Sequence, residues 1–342
     1  MKNLVLVLDL LLIYCSLYSA PVPVGGVAGT IIDAETAEPL AYTNVFFTNT
    51  TFGDAADSEG EFLLERVPAG AYQLIVSRIG YELFVKDVAV RPERMEQLKI
   101  ALKVQSIAGK EISVTARHSK EWKHDLKLFE RYFLGVTTNA NKCSILNPEV
   151  LSFEKSAGTG DLLATAEGAL TIENRALGYK IEMILSEFRY GFAGGKYVGY
   201  PRYYELDAKT KRQQKRWQKA RRNTFFDSIR GLFYAVSLGR RQDAYMISLR
   251  NRKSIHHFVA LSNVDLETTV VDSMLAVKRF KAFDRLHVQN NSGDASDLYL
   301  KYGYVDFDAN GNIYPADAIT VSGYWVKNRI ADTLPFDYAP MD

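Results

Sequence analysis

Apolar and polar residues alternate with a period of two through much of the segment from 26 to 104. One run places an apolar residue at every second position, at Leu98, Ile100, Leu102 and Val104. A shorter run repeats the pattern at Tyr72, Leu74 and Val76. Successive side chains of a strand point to opposite faces of its sheet, so the alternation predicts strands with one buried face and one exposed face.

A helical period replaces this alternation between Ser119 and Leu134. Large apolar residues recur there at intervals of three and four, at Trp122, Leu126, Phe129 and Phe133. Residues at this spacing lie on one face of an α-helix. Ser119 suits the N-cap position, and Gly135 favours a helix end after Leu134.

The remainder of the chain mixes strands and helices. The predicted elements are strands from 162 to 206, two helices from 209 to 238 broken near Asn223, and strands from Ala244 to the end. Leu177-Gly178 is a turn signal within the first group of strands, and Asn310-Gly311 is a strong hairpin signal within the last group. This order predicts an α+β domain with a mostly antiparallel sheet, so the whole chain is expected to be mainly β.

The length of the chain and its N-terminal residues indicate its domain organisation. At 342 residues it is too long for one ordinary domain. Lys2, an apolar stretch from 4 to 17 and a small-residue cleavage point at Ser19-Ala20 predict a secretion signal. We therefore predict a signal peptide at 1–20, a β-sandwich at 21–105, a linker at 106–118 and an α+β domain at 119–342.

Short motifs in the sandwich region follow a fixed order. They are Gly29, Asp33, Pro39-Leu40-Ala41-Tyr42-Thr43-Asn44-Val45, Asp57-Ser58-Glu59-Gly60-Glu61-Phe62, Val67-Pro68-Ala69-Gly70-Ala71-Tyr72 and Ile79-Gly80-Tyr81. In order and spacing they closely resemble the carboxypeptidase-like regulatory domain. The resemblance implies a transthyretin-like, Ig-like sandwich of seven strands that has no catalytic role, and it names no ligand.

Segments outside the sandwich carry two further resemblances. The segments 143–151, 199–201 and 329–338, together with the sandwich, resemble a group of exported Bacteroidota proteins of uncharacterised function. The segment 111–116 resembles the one that follows this module in exported TonB-dependent receptors. No receptor-like sequence comes after it here, so transport is not implied.

Composition narrows the choice of partners. The formal net charge of +2 is too close to neutral to indicate nucleic acid as a general partner. The chain has two cysteines, and removal of the signal peptide would leave only Cys143. An internal disulfide is then excluded, and we interpret Cys143 as a small buried hydrophobe rather than a nucleophile.

Three patterns resemble metal sites without meeting their requirements. His118 and Glu121 have the HxxE spacing of zinc peptidases, but a catalytic zinc site needs a third protein ligand. His256 and His257 are adjacent in a predicted strand, so their side chains face opposite ways. Asp306, Asp308, Asn310 and Asp317 fit the spacing of a calcium loop, although a hairpin turn explains the same residues. We therefore assign no cofactor and keep calcium at these four residues as the weaker alternative.

One dense basic run lies between Lys209 and Arg222, where eight of fourteen residues are basic and none is acidic. The candidate partner surface built on it comprises Arg212, Lys215, Arg216, Lys219, Tyr200, Tyr203 and Trp217. A charge run is most often a solvated helix face, and aromatic residues most often fill a core. The alternative is contact with another envelope protein, while peripheral membrane association and a carbohydrate or peptide ligand stay open.

These observations favour a binding protein over an enzyme. No catalytic motif is evident, so we predict that the chain is not an enzyme and has no catalytic residues. The expected role is that of an exported protein of the periplasm, outer membrane or cell surface, accessory to an outer-membrane receptor or complex. A structural component of a surface assembly, or a hydrolase with its site in the second domain, is the alternative.

Overall fold

The structure, a computed structural model, describes residues 23–105, 119–192, 194–238, 245–250, 258–260, 268–272, 277–281, 285–290, 292–315 and 317–340. The predicted signal peptide, the predicted linker and the histidines His118, His256 and His257 lie outside the described residues.

Seven strands form the N-terminal sandwich, which confirms the expected fold. They are Val24–Asp33 (β1), Asn44–Phe47 (β2), Gly53–Ala55 (β3), Glu61–Pro68 (β4), Gly70–Ser77 (β5), Phe84–Val90 (β6) and Met95–Leu102 (β7). One sheet has the order β4-β1-β7 and the other the order β3-β2-β5-β6. In β7 the alternation is confirmed, because Leu98, Ile100 and Leu102 are buried in the core between the sheets while Lys99 is exposed.

Six strands form a second sheet, beside the sandwich. They are Cys143–Ile145 (β8), Leu151–Lys155 (β9), Leu162–Ala166 (β10), Leu170–Asn174 (β11), Tyr179–Gly191 (β12) and Gly194–Glu205 (β13). Strand β12 is long enough to pair with β11 and β10 at successive positions and with β13 along its length. The helix Lys120–Phe133 (α1) begins as predicted, since Ser119 Oγ accepts a hydrogen bond of 3.0 Å from the Trp122 amide. Its Phe129 and Phe133 are buried against this sheet.

Two antiparallel sheets make up the C-terminal part of the described chain. Their strands are Tyr245–Arg250 (β14), Phe258–Ala260 (β15), Thr268–Asp272 (β16), Val277–Lys281 (β17), Leu286–Asn290 (β18), Ala295–Leu300 (β19), Tyr304–Phe307 (β20), Ile313–Tyr314 (β21) and Ile319–Gly323 (β22). The orders are β15-β14-β18-β19-β22 and β16-β17-β20-β21. The mostly antiparallel arrangement predicted for this region is confirmed.

Two helices separate the six-stranded sheet from these strands, Lys211–Phe226 (α2) and Ile229–Ser237 (α3). The predicted break near Asn223 is wrong, because Asn223 lies inside α2 and its carbonyl accepts from the Asp227 amide at 2.9 Å. The break falls at Ser228, whose Oγ caps α3 by accepting from the Gly231 amide at 3.1 Å. Among the described helices, none combines the length and apolar character needed to cross a membrane.

The prediction of strands to the end of the chain is also wrong. Strand β22 ends at Gly323, and single helical turns follow at Tyr324–Lys327 and Ile330–Asp332. Residues 333–340, here called the tail, then continue without strands. The guanidinium of Arg230 in α3 donates hydrogen bonds to carbonyl groups of the tail. These side-chain donors satisfy carbonyl groups that would bond to a neighbouring strand if the tail were part of a sheet.

The loop between β2 and β3 joins the sandwich to the rest of the structure. The Asn49 amide donates to the Pro201 carbonyl of β13 at 2.7 Å, and the Asn49 carbonyl accepts from the Phe336 amide of the tail at 2.6 Å. Asp337 of the tail accepts from the Thr51 amide at 2.9 Å and from the Thr51 hydroxyl at 2.5 Å. The sandwich, β13 and the tail therefore meet at one hydrogen-bonded junction.

Candidate binding surface on helix α2

Helix α2 divides its residues between a buried stripe and a charged face. Trp217, Arg221 and Phe225 recur at intervals of four and are buried. Four cations of the predicted partner surface, Arg212, Lys215, Arg216 and Lys219, are exposed. The helix contains no acidic residue. We call these four exposed side chains the basic face.

The basic face has no carboxylate partner in the part of the chain that the structure describes. Among the residues that the structure describes, none forms an ion pair or a hydrogen bond with the side chains of Arg212, Lys215, Arg216 or Lys219. The four cations are also spaced three and four residues apart, so they repel one another along the helix. The face therefore carries positive charge that the described residues leave uncompensated.

Two aromatic residues of the predicted partner surface are buried instead. Trp217 is only 5% exposed, and its indole nitrogen donates to the Arg175 carbonyl at 3.0 Å. Tyr203 is 1% exposed, and its hydroxyl lies 2.6 Å from the hydroxyl of Thr333. Both residues are core components, and their inclusion in the surface is wrong. Tyr200 is half-buried on β13 and lies outside the basic face.

Arg221 is the inward-facing cation of α2 and fixes the helix to the six-stranded sheet. Its guanidinium donates to the Leu177 carbonyl at 2.7 Å and the Gly178 carbonyl at 3.1 Å. It forms an ion pair of 3.1 Å with Glu205, and its carbon lies 4.0 Å from the centre of the Tyr179 ring. Arg221 belongs to the basic run of the sequence, in which no local pattern distinguishes this structural cation from its exposed neighbours.

A cleft of about 500 Å³ opens between α2 and the tail. Its lining residues come from β12, β13, α2 and the tail: Tyr179, Glu205, Gln218, Lys219, Arg221, Arg222, Pro335, Asp337, Tyr338 and Ala339. Lys219 belongs both to this cleft and to the basic face. The tail residues lie more than one hundred positions from α2, so no local sequence pattern indicated the cleft.

The residues of the calcium alternative have partners of other kinds. The Asp306 carboxylate accepts two hydrogen bonds from Arg279, at 2.7 and 2.8 Å. The Asp317 carboxylate forms an ion pair with Lys301. Within the described ranges, no group of three or more His, Cys, Asp or Glu side chains is placed to hold a metal ion.

The other two residues of that alternative form a hairpin turn. The Asp308 carboxylate accepts from the amides of Asn310 at 2.8 Å and Asn312 at 3.0 Å. The turn connects β20 and β21, as the Asn310-Gly311 signal predicted. Gly311 has a φ of +78°, and an added Cβ would lie 2.2 Å from the Arg230 carbonyl. Asp308 therefore organises the backbone of the turn, which explains its spacing.

The environment of Cys143 disfavours thiol chemistry. Cys143 lies in β8 and is partly buried against the core of the six-stranded sheet. Burial raises the pKa of its thiol to about 12. Since the thiolate is the nucleophilic form, this environment suits a small hydrophobe, as the sequence indicated.

Comparison with protein families identifies one part of the chain. Residues 27–114 match the CarboxypepD_reg-like domain. This segment is a CarboxypepD_reg-like domain. The match begins inside β1 and includes the other six strands of the sandwich, so the resemblance carried by the sandwich motifs is confirmed. A search of curated proteins finds no match.

Solved structures share only limited similarity with the chain. The major pilin BcpA of Bacillus cereus is 15% identical over 24% of this chain and 31% of its own, with a TM-score of 0.22. The minor pilin GBS52 of Streptococcus agalactiae is 16% identical over 27% of this chain and 48% of its own, also at 0.22. The TIE protein of Bacillus anthracis is 8% identical over 79% and 45%, again at 0.22. The chain thus spans about a third to a half of these proteins, and the likenesses carry no functional argument.

Proposed function

We propose that this chain is an exported, non-catalytic binding protein of the cell envelope, and that the basic face of α2 contacts an acidic surface on another envelope protein. The uncompensated charge of the basic face is the observation that carries this proposal. The CarboxypepD_reg-like domain adds support, because the resemblance implies an accessory module without a catalytic role. Export is the expectation from the N-terminal sequence.

Electrostatic repulsion within α2 favours an acidic partner. The pairs Arg212–Arg216 and Lys215–Lys219 are separated by four residues, and Arg212–Lys215 and Arg216–Lys219 by three. Each like-charged pair at these spacings destabilises a helix by about 0.2–0.5 kcal/mol. The four pairs together cost roughly 1–2 kcal/mol. Carboxylates on a partner would offset this repulsion, so relief of the repulsion would favour binding.

In-cell cross-linking of the tagged chain, followed by mass spectrometry, tests the proposal. The test variant replaces Arg212, Lys215, Arg216 and Lys219 with glutamine. We expect the wild-type chain to recover a defined envelope protein and the test variant to recover at least several-fold less of it.

A matched control removes four exposed cations from the sandwich region instead. It replaces Arg91, Arg94, Lys99 and Lys103 with glutamine, so it contains the same two arginines and two lysines. The control is expected to recover the partner at the wild-type level. Equal recovery with both variants, or recovery of the chain alone from the soluble envelope fraction, would contradict the proposal.

A further inference from the structure

Strand β13 uses only part of its outer backbone edge. Its other edge pairs with β12 along the whole strand. On the outer edge, the Pro201 carbonyl accepts from the Asn49 amide at 2.7 Å, and the Tyr203 amide donates to the Thr50 carbonyl at 2.9 Å. The loop between β2 and β3 therefore covers the outer edge near its C-terminal end, where Pro201 and Tyr203 direct backbone groups away from β12.

The alternation of backbone groups identifies the part that is left over. Alternate residues of an antiparallel strand direct their N–H and carbonyl groups to the same edge. The register irregularity of this pair lies in β12, between Leu185 and Glu187, so the alternation continues unbroken along β13. Gly195, Tyr197 and Gly199 thus present their N–H and carbonyl groups to the outer edge. Within the described ranges, no backbone group bonds to them there. We call residues 195–199 the open edge.

The features that often protect an edge strand do not act on the open edge in the described structure. Such features include proline, charged side chains and a covering segment. Pro201 lies beyond the open edge, where the sandwich loop already covers the strand. Lys196 is the charged residue inside it, and its ammonium is paired with Glu187 at 2.9 Å. Gly195 and Gly199 have no side chains, and glycine within a strand often marks a place where another backbone approaches closely.

The chain itself shows which kind of ligand fits this edge. Thr50 pairs with Arg202 in the parallel orientation, so a short extended segment of the sandwich already lies beside β13 as a neighbouring strand. A second extended segment beside the open edge would continue the same row of hydrogen bonds. Its alternate residues are about 6.6 Å apart, which is the spacing at which the open edge repeats its donors and acceptors.

The side chains beside the open edge favour an apolar segment. The Tyr197 ring packs against Phe133 in the core, with ring centres 5.1 Å apart, so Val198 and Tyr200 lie on the opposite face of the sheet. Val198 is 37% exposed, and Tyr200 is half-buried. β-Branched and aromatic side chains form favourable pairs across strands. We expect such residues beside Val198 and Tyr200, which would give Tyr200 a contact that the basic face does not provide.

We infer that the open edge of β13 binds an extended, apolar segment of another protein as an additional strand of the six-stranded sheet. The backbone groups of Gly195, Tyr197 and Gly199 form the hydrogen bonds, and Val198 and Tyr200 select the side chains. The inference goes beyond the proposed function, because the open edge contains none of the four cations of the basic face and its hydrogen bonds do not depend on charge.

Amide hydrogen exchange of the purified full chain, measured by NMR with a peptide probe, tests the inference. The probe contains three Thr-Val repeats followed by two lysines, with both ends blocked. It has no carboxylate, so charge attraction cannot bind it to the basic face. The control peptide has the same sequence with an N-methyl group on each threonine and valine, which removes the backbone donors that a new strand requires.

We expect the probe to slow exchange at the amides of Gly195, Tyr197 and Gly199 at least several-fold, and the N-methylated peptide to leave it unchanged. Val198→Lys should raise the Kd of the probe about three- to five-fold, because it removes an apolar cross-strand contact and repels the lysines of the probe. Val85→Lys is the matched control, since Val85 is 38% exposed on the edge strand β6 of the sandwich, and it should leave the Kd unchanged.

Two results would overturn the inference. One is unchanged exchange at the three amides in millimolar probe, and the other is a larger effect of Val85→Lys than of Val198→Lys, which would place the probe on the sandwich. Protection that grows with the concentration of the chain alone would overturn it in favour of pairing between two copies of this chain. None of these results concerns the basic face, which is tested by cross-linking of the variant that lacks its four cations, so the two proposals can fail separately.

Discussion

Replacement of Arg230 is expected to destabilise the chain more than any surface substitution, because one side chain joins three segments. Its guanidinium donates to the carbonyl groups of Asn310 at 3.2 Å, Pro335 at 2.7 Å and Phe336 at 2.8 Å, and also to that of Tyr338. Arg230 lies at the start of α3, so the helix, the hairpin turn and the tail share it. Burial lowers its pKa to about 10, and it is therefore charged at neutral pH.

Arg230→Met keeps a side chain of similar length and removes every donor. A hydrogen bond to a charged group contributes about 1.5–3 kcal/mol, but bonds that share one group are not additive. Water can also replace part of the loss, because the residue is only partly buried. We therefore expect the substitution to lower the free energy of unfolding by roughly 4 kcal/mol. This value is close to the cost of breaking a buried ion pair.

Differential scanning calorimetry and limited proteolysis of the tail check this value. A loss of this size should lower the Tm by roughly 10 °C and expose the tail to cleavage. Arg94→Met is the matched control, since Arg94 is exposed, and it should change stability by less than about 0.5 kcal/mol. Similar Tm values for the two variants would refute the central role of Arg230.

Two further predictions concern the core of the second sheet. Gly178 has a φ of +72°, and an added Cβ would lie 2.3 Å from the Trp217 ring, so Gly178→Ala should lower the Tm strongly. Gly168→Ala is the control, because an added Cβ there would meet open space, and it should not lower the Tm strongly. In a Cys15→Ser background at pH 8, Cys143 should react with a disulfide reagent roughly a thousand-fold more slowly in the native chain than in urea, because its raised pKa suppresses the thiolate. Equal rates in buffer and urea would show that burial does not control this thiol.

Local sequence signals predicted the elements that depend on neighbouring residues. The period of two gave the buried face of β7, and Ser119 marked the start of α1 through its own side-chain hydrogen bond. Asn310-Gly311 marked the turn between β20 and β21. In each case the deciding interaction lies within a few residues along the chain, so the pattern contained the physical cause.

The errors arose where distant segments decide the outcome. Trp217 looks like part of an exposed basic run, but its indole packs over Gly178 and bonds to the Arg175 carbonyl. Tyr203 sits on the inward face of β13, and the register that fixes this face is set by pairing with β12. Helix and strand propensities contain no information on these partners. The basic face itself was predictable, because exposed charge needs no partner to define it.

The tail links the candidate site to the CarboxypepD_reg-like domain. Asp337 lines the cleft and accepts both hydrogen bonds from Thr51 in the loop between β2 and β3. The adjacent Phe336 bonds to Asn49 of the same loop through its amide and to Arg230 through its carbonyl. Because one short segment completes the wall of the cleft and holds the sandwich, a displacement of the tail would disturb both. The sandwich therefore has a structural part in the proposed binding site, although it supplies none of the cations that would contact the ligand.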